Sequence, residues 1–170
     1  MLVRAARAED FAALAAITNH YIATSSIHFG YEPIGADELR AQWQVSDRYP
    51  WLVAERDGQV IGYAKSGVWR ARTAYQWTTE VGLYVADAER GRGVGGALYG
   101  ALLDEVQRRG FRSVIAGITL PNEPSVRLHE AFGFTAVGVF EDAGWKLGAW
   151  HAVGFWQKRL ATDASAPPAG

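Results

Sequence analysis

The stretch Leu83-Tyr84-Val85-Ala86-Asp87-Ala88-Glu89-Arg90-Gly91-Arg92-Gly93-Val94-Gly95-Gly96-Ala97-Leu98 passes from an apolar strand through a glycine-rich turn into a helix. Four of the six positions from 91 to 96 are glycine. Turning the chain does not require so many, since each glycine surrenders extra conformational freedom on folding. Glycines do let backbone N–H groups come close to a ligand, and the helix N-terminus that follows favours an anion such as a pyrophosphate. The bland alternative is a tight strand-to-helix turn with no ligand. Gly91, Gly93 and Gly96 match the dinucleotide fingerprint G-x-G-x-x-G letter for letter. That fingerprint opens a β-α-β unit and is followed, about 20 positions on, by an acid for the ribose. Here three strands and two helices precede the loop's own strand, and the first acid beyond the next strand is Glu123. No Gly-Lys-Ser/Thr follows either, which excludes a Walker loop.

Outward from this loop the elements are legible. Leu2 to Ala6 reads as a short strand. Asp10 starts a helix in which Phe11, Leu14, Ala15, Ile17 and Tyr21 recur at helical spacing through about Ala23. Thr24 to Pro33 is a polar and aromatic loop, and Asp37 to Gln44 a weaker helix. Trp51–Glu55 and Val60–Val68 are apolar runs joined across Asp57-Gly58, a strong hairpin signal because Gly tolerates the positive φ of a tight turn. Gln76–Ala86 is a further strand. Leu98–Arg109 forms a helix closed by Gly110, and Ser113–Ile118 is a buried-type strand. Asn122 opens a helix with Pro124 in its first turn, stopped near Gly133. Phe134–Val139 and Val153–Arg159 finish as strands. The order β-α-α-β-β-β-α-β-α-β-β predicts antiparallel hairpins and one parallel β-α-β step, an α+β fold rather than a doubly wound one. Residues 1–160 read as one domain. The last stretch, 161–170, is small and polar with a Pro-Pro pair and reads as a disordered tail.

Composition sets limits on chemistry. A chain of 170 residues, 49% apolar and 21% charged, is long enough to bury a core unaided. With 17 basic and 18 acidic side chains the net charge is -1, so no field draws nucleic acid or an anionic membrane. Cysteine is absent, which excludes a disulfide framework, Cys-ligated zinc, an iron–sulfur cluster and a Cys nucleophile. His20, His28, His129 and His151 have no metal-ligand spacing, so no metal is expected. No apolar run approaches a membrane span and no signal-peptide block stands at the N-terminus, so a cytoplasmic protein is expected.

Arg90-x-x-Gly93-x-Gly95, after the Leu-Tyr-Val strand, resembles the acetyl-CoA loop of the GNAT acyltransferase superfamily. The resemblance implies a GNAT fold, with a mostly antiparallel central sheet and its parallel step at the acetyl-CoA site. It implies that Arg90, Gly91, Arg92, Gly93, Val94, Gly95 and Gly96 hold the CoA pyrophosphate through backbone amides. Leu83, Tyr84 and Val85 would pair with the pantetheine arm, and Asn122 matches an Asn that contacts it. Further segments are similar to one subgroup, the phosphinothricin and methionine sulfoximine acetyltransferases. They include Asn19-His20-Tyr21-Ile22, Arg48-Tyr49-Pro50-Trp51-Leu52-Val53-Ala54-Glu55, Trp69-Arg70-Ala71-Arg72, the run from Leu120 through Glu130, and Gly154-Phe155-Trp156-Gln157. Together they span about residues 2 to 158. That subgroup acetylates the α-amine of a small glutamate-like amino acid and forms homodimers.

Such chemistry needs a base for the ammonium, an N–H for the developing oxyanion and a proton for the departing thiolate. Glu80, a carboxylate in an otherwise apolar strand, matches the subgroup's proposed base; a Glu on the solvent face of the sheet is the plainer reading. His129 stands where most of the superfamily carries a Tyr acid, and it would protonate the thiolate or relay the amine proton. A helix His with a structural hydrogen bond is its alternative. Arg70 and Arg72, two apart, share a side if extended and suit an anionic acceptor; exposed edge cations are the other reading. Phe29 and Tyr75 match aromatic pocket positions, or are core. Departures are Arg70 where Lys is usual, Val81-Gly82 and Ala152 in place of polar residues, and Gly30-Tyr31 in the first loop. Remaining alternatives are an acetyltransferase for another amine, a non-catalytic acyl-CoA sensor and a dinucleotide-binding protein.

Overall fold

The spine of the molecule is a seven-stranded sheet, seen in a computed structural model that describes residues 1–161, 165 and 166. The tail expected at 161–170 therefore lies largely outside the described residues. In chain order the elements are β1 (Leu2–Ala5), α1 (Phe11–Thr24), α2 (Ala36–Trp43), β2 (Trp51–Arg56), β3 (Gln59–Val68), β4 (Thr78–Val85), α3 (Val94–Arg108), β5 (Ser113–Thr119), α4 (Glu123–Ala131), β6 (Thr135–Lys146) and β7 (Ala149–Arg159). The sequence order of strands and helices is thus the expected one. Spatially the strands run β1-β2-β3-β4-β5-β7-β6. Every neighbouring pair is antiparallel except β4 with β5.

Helices cover both faces, because each carries one apolar stripe. In α1 the buried Phe11, Leu14, Thr18, Tyr21 and Ile22 recur at helical spacing. Phe11, Leu14 and Tyr21 form one core with Leu39 of α2 and with Trp51, Val53 and Tyr63 of the sheet. On the opposite face Val94, Leu98, Leu102 and Val106 of α3 pack on Val81, Val114 and Ala116. Strand alternation does the sorting: Val81, Leu83 and Val85 turn toward α3, while Tyr84 turns toward α1. The Asp57-Gly58 turn has φ of 52 and 76 at its two residues, the positive pair a two-residue hairpin requires.

Two strands run longer than the sequence pattern predicts. β6 and β7 continue past Val139 and start before Val153, making a hairpin turned at Leu147-Gly148. Its apolar side chains face outward: Phe140 is 66% exposed, Trp150 60% and Trp145 48%.

Candidate active site

The parallel pair β4–β5 is short. It runs only through Thr78↔Ser113, Thr79↔Val114 and Glu80↔Ile115. Beyond that point β4 stays on β3 as far as Gly62↔Val85, and β5 stays on β7 as far as Thr119↔Val153. The two central strands therefore diverge into a wedge inside the sheet. Ala86 N–H donates to Ile61 O at 2.9 Å, on the β3 side, and Trp77 O accepts from Arg112 N–H at 2.8 Å, on the β5 side. Alternation along the strand then turns the backbone groups of Leu83 into the wedge. Backbone groups in such a place need a partner, and an extended amide-bearing ligand can supply one. Val85 O already accepts from the Tyr21 hydroxyl at 2.5 Å.

The wedge opens into a cleft of about 810 Å³ whose walls include Leu83, Tyr84, Val85, Arg90, Gly91, Gly95, Gly96, Asn122 and His129. This volume is of the size that holds a cofactor-like ligand. At one end stands the glycine loop. Gly91 and Gly93 have φ of 74 and 79, and Gly93 is the N-cap of α3. A Cβ at Gly96 would meet no atom within 4 Å, whereas one at Gly95 would touch Leu83 Cδ2 at 3.5 Å. The first turn of α3 is thus packed on β4 on one side and bare on the other, with the helix's first N–H groups uncommitted. That is a fit for phosphate oxygens. Arg90 and Arg92 extend from the loop, paired with Asp87 and Glu89 at 3.4 and 3.5 Å. Val94 itself is 1% exposed and belongs to the core, so only its backbone can serve a ligand.

Asn122 caps α4, its Oδ1 accepting from Ser125 N–H at 3.3 Å, which leaves its amide NH2 free to donate. Seven residues on, His129 is buried beneath Tyr99 and Phe134, at ring separations of 4.8 and 5.2 Å. Its Nδ1 lies 2.7 Å from Ser125 O. A carbonyl only accepts, so Nδ1 carries the proton and Nε2 keeps its lone pair. Burial lowers the His129 pKa, partly countered by this bond. The ring is therefore neutral near pH 7 and ready to take a proton before it gives one.

Glu80 sits where β4 leaves β5. Its Oε1 lies 3.6 Å from the position a Cβ on Gly117 would occupy, so the bare β5 residue makes room for the carboxylate. Burial raises its pKa from the ordinary glutamate value, while Arg70 and then Lys65 pull it back. A carboxylate of raised basicity in a cleft is suited to general-base work. Burial also pushes the Tyr84 phenol up to about 12, which keeps it neutral.

The acceptor residues are gathered less completely. After Val68 the chain leaves the strand, and residues 69–72 form an irregular bend, so the alternation expected for Arg70 and Arg72 does not hold there. Arg70 rests on Trp69, 5.2 Å from the ring centre, and reaches Glu80 through its charge. Arg72 precedes the short turn Thr73–Tyr75, and neither it nor Arg70 is among the cleft walls. Tyr75 packs edge-on against Trp69 at 5.1 Å, and Phe29 lies against Gly144 of β6, where a Cβ would run into the Phe29 ring. Both are surface aromatics, at 39% and 37% exposure, and neither lines the cleft. Residues not singled out from sequence do line it: Gln42, Trp51, Lys65 and Gly117. Lys65 carried a readable signal, a charge inside an apolar strand. Among the described residues no group of three His, Asp or Glu side chains converges as a metal site, and no helix is long and apolar enough to cross a membrane.

Residues 14–134 match the family model described as acetyltransferase (GNAT) family. A phosphinothricin N-acetyltransferase of Streptomyces viridochromogenes is 48% identical, over 98% of this chain and 90% of its own. An L-methionine sulfoximine/L-methionine sulfone acetyltransferase of Salmonella typhimurium is 35% identical, over 97% of this chain and 98% of its own. Among solved structures, a GNAT phosphinothricin acetyltransferase from Sinorhizobium meliloti in complex with AcCoA superposes with a TM-score of 0.94. It is 32% identical and the match covers 99% of this chain and 94% of that one.

Proposed function

Because this chain belongs to the acetyltransferase (GNAT) family, we propose that its acceptor is the α-amine of a small glutamate-like amino acid: phosphinothricin, methionine sulfoximine or methionine sulfone. The chain is an N-acetyltransferase with acetyl-CoA as donor. Bound acetyl-CoA supplies the acetyl group as a thioester. The observation that carries the reading is the wedge between β4 and β5, which runs from the glycine loop to Glu80.

The residues divide the work. The N–H groups of Gly91 to Gly96 hold the pyrophosphate, the Arg90 N–H being given to Asp87 O, with the Arg90 and Arg92 side chains adding charge. Leu83, Tyr84 and Val85 flank the pantetheine arm, Leu83 offering its backbone groups and Asn122 its free NH2. Glu80 takes the ammonium proton, through one water, and so frees the lone pair for attack. His129 accepts a proton at Nε2 and returns it to the departing sulfur. Arg70 and Arg72 attract the acceptor's anionic groups from outside the cleft walls, where Phe29 and Tyr75 also lie. Transfer is direct, since a chain without cysteine has no thiol to hold an acyl group.

The outward apolar face of the β6–β7 hairpin supports a homodimer. The loop carrying Phe29 is tied to that hairpin: Lys146 Nζ donates to Ile22 O at 2.7 Å and also to His28 O, and the Tyr31 hydroxyl donates to Trp145 O. An interface there would border the acceptor side. We place the enzyme in the cytoplasm and expect a host expressing it to resist phosphinothricin.

The test is thiol release from acetyl-CoA with phosphinothricin, methionine sulfoximine, methionine sulfone, spermidine and no acceptor. The protein contributes no thiol of its own. Turnover with the three amino acids and not with spermidine is expected. Turnover with spermidine alone would discard the acceptor.

A further inference from the structure

Lys65 stands mid-β3 in Gly62-Tyr63-Ala64-Lys65-Ser66-Gly67, opposite Gly82 of β4. No step above uses it. Its stem lies across the bare Gly82, where a Cβ would meet Lys65 Cγ at 3.7 Å and Cε at 3.8 Å. Its ammonium sits over the Trp51 ring, 4.6 Å from the centre. Its one hydrogen bond among the described residues, to Gln42 Oε1, is long at 3.4 Å. No carboxylate pairs with it there. An ammonium has three donors to satisfy, and this one is half-buried in the wall of the cleft. Burial lowers its pKa and the charge of Glu80 raises it. A cation held this way gains most from an anion that arrives with a ligand.

Its place relative to Glu80 says which ligand group that is. Gly67 lies opposite Glu80 and Lys65 opposite Gly82, while Arg70 follows the end of β3 at Val68. Glu80 thus has Lys65 on one side along the strand and Arg70 on the other, and both cations act on its carboxylate. An α-amino acid with its amine at Glu80 has its carboxylate and its side-chain terminus pointing apart. Of the two cations only Lys65 is among the cleft walls with Glu80, so it is the one placed to meet an anionic end of such an acceptor.

We infer that Lys65 sets acceptor specificity, its ammonium taking an anionic oxygen at the end of the acceptor side chain and favouring a phosphinate over a neutral sulfone of similar shape. This rests on the acceptor proposed above. Hydrogen bonding to a full charge separates Lys65 from Gln42, whose amide serves a neutral oxygen as well as an anionic one.

The experiment compares kcat/KM for phosphinothricin and methionine sulfone in the wild type, Lys65→Met and Lys65→Gln. The phosphinothricin-to-sulfone ratio is expected to fall by about 10-fold or more in both variants, the size of one charge-assisted hydrogen bond, through KM rather than kcat. The rise in Tm given by acetyl-CoA checks that each variant is folded, and two substitutions guard against one failing. A ratio within about 2-fold of wild type in a folded variant overturns the inference and leaves the acceptor class standing. Wild-type protein that acetylates neither amino acid overturns the acceptor class, and this inference with it.

Discussion

Replacing Gly93 and Gly96 by alanine, one at a time, separates backbone geometry from empty space in the glycine loop. Neither added Cβ meets an atom within 4 Å, so crowding plays no part in either case. Gly93 holds φ at 79 as the N-cap of α3, where an L side chain costs about 1–2 kcal/mol. Gly96 lies within α3, where glycine is worse than alanine by about 0.5–1 kcal/mol. For a chain of this length 1 kcal/mol moves Tm by about 2–4 °C. Gly93→Ala should therefore lower Tm by about 2–8 °C, and Gly96→Ala should raise it by about 1–4 °C. The assay is a thermal melt with and without acetyl-CoA. At a concentration about 100 times Kd the ligand adds about 2.7 kcal/mol to the wild type. Gly93→Ala should lose much of that increment, because its turn aims the N–H groups of Val94 to Gly96. Equal changes in the two variants, or an undiminished increment in Gly93→Ala, would refute the reasoning.

Glu80→Gln should lower kcat by about 10²–10⁴-fold, the usual contribution of a general base, with acetyl-CoA binding retained by calorimetry. It should also melt higher than wild type near neutral pH. The folded pKa of Glu80 is raised, so its stabilising contribution is present in acid and lost as pH rises through that pKa; the ionised form weakens the fold at pH 7. The advantage of the variant should shrink as pH falls. Arg70→Gln removes the larger of the two charges that hold Glu80 down. The acid limb of its kcat–pH profile should move to higher pH, and an unmoved limb would dissociate Arg70 from the base. Trp150→Glu, at a side chain 60% exposed on the hairpin, should shift the protein to monomers in sedimentation analysis with unchanged far-UV circular dichroism.

Much of this molecule is readable from its sequence where local chemistry is strong. The Asp57-Gly58 hairpin, the apolar spacing of α1 and the uninterrupted β5 all stand where the pattern puts them. The start of α3 lies four residues before Leu98, because Gly95 and Gly96 are poor helix formers that only packing on β4 holds in the helix. β6 and β7 overrun their apolar segments for a different reason. Their tip turns at Leu147-Gly148 with φ of 52 and 76, the same geometry as at Asp57-Gly58 but without an Asn or Asp to announce it. Asp142, at φ 48, marks the irregular stretch between Phe140 and Gly144 that the pairing skips. In the site, residues on regular elements were legible and those set by tertiary approach were not. Glu80 and His129 come to one cleft with the glycine loop. Arg70, Arg72, Phe29 and Tyr75 sit in segments whose direction no periodicity fixes, and they stay outside its walls. Lys65 is visible by the same reasoning as Glu80, a charge in an apolar strand, but its neighbour across the pair is a glycine that gives no hint that the lysine stem lies over it.

The most direct measurement is a competition. The enzyme is given acetyl-CoA with equal amounts of phosphinothricin, methionine sulfone, spermidine and a peptide with a free N-terminus, and the acetylated products are identified by mass spectrometry. Acetyl groups on the α-nitrogen of the two amino acids alone are expected, with product formation abolished in Glu80→Gln. Acetylated spermidine or peptide as the main product, or amino-acid acetylation undiminished in Glu80→Gln, would contradict the assignment of acceptor or of base.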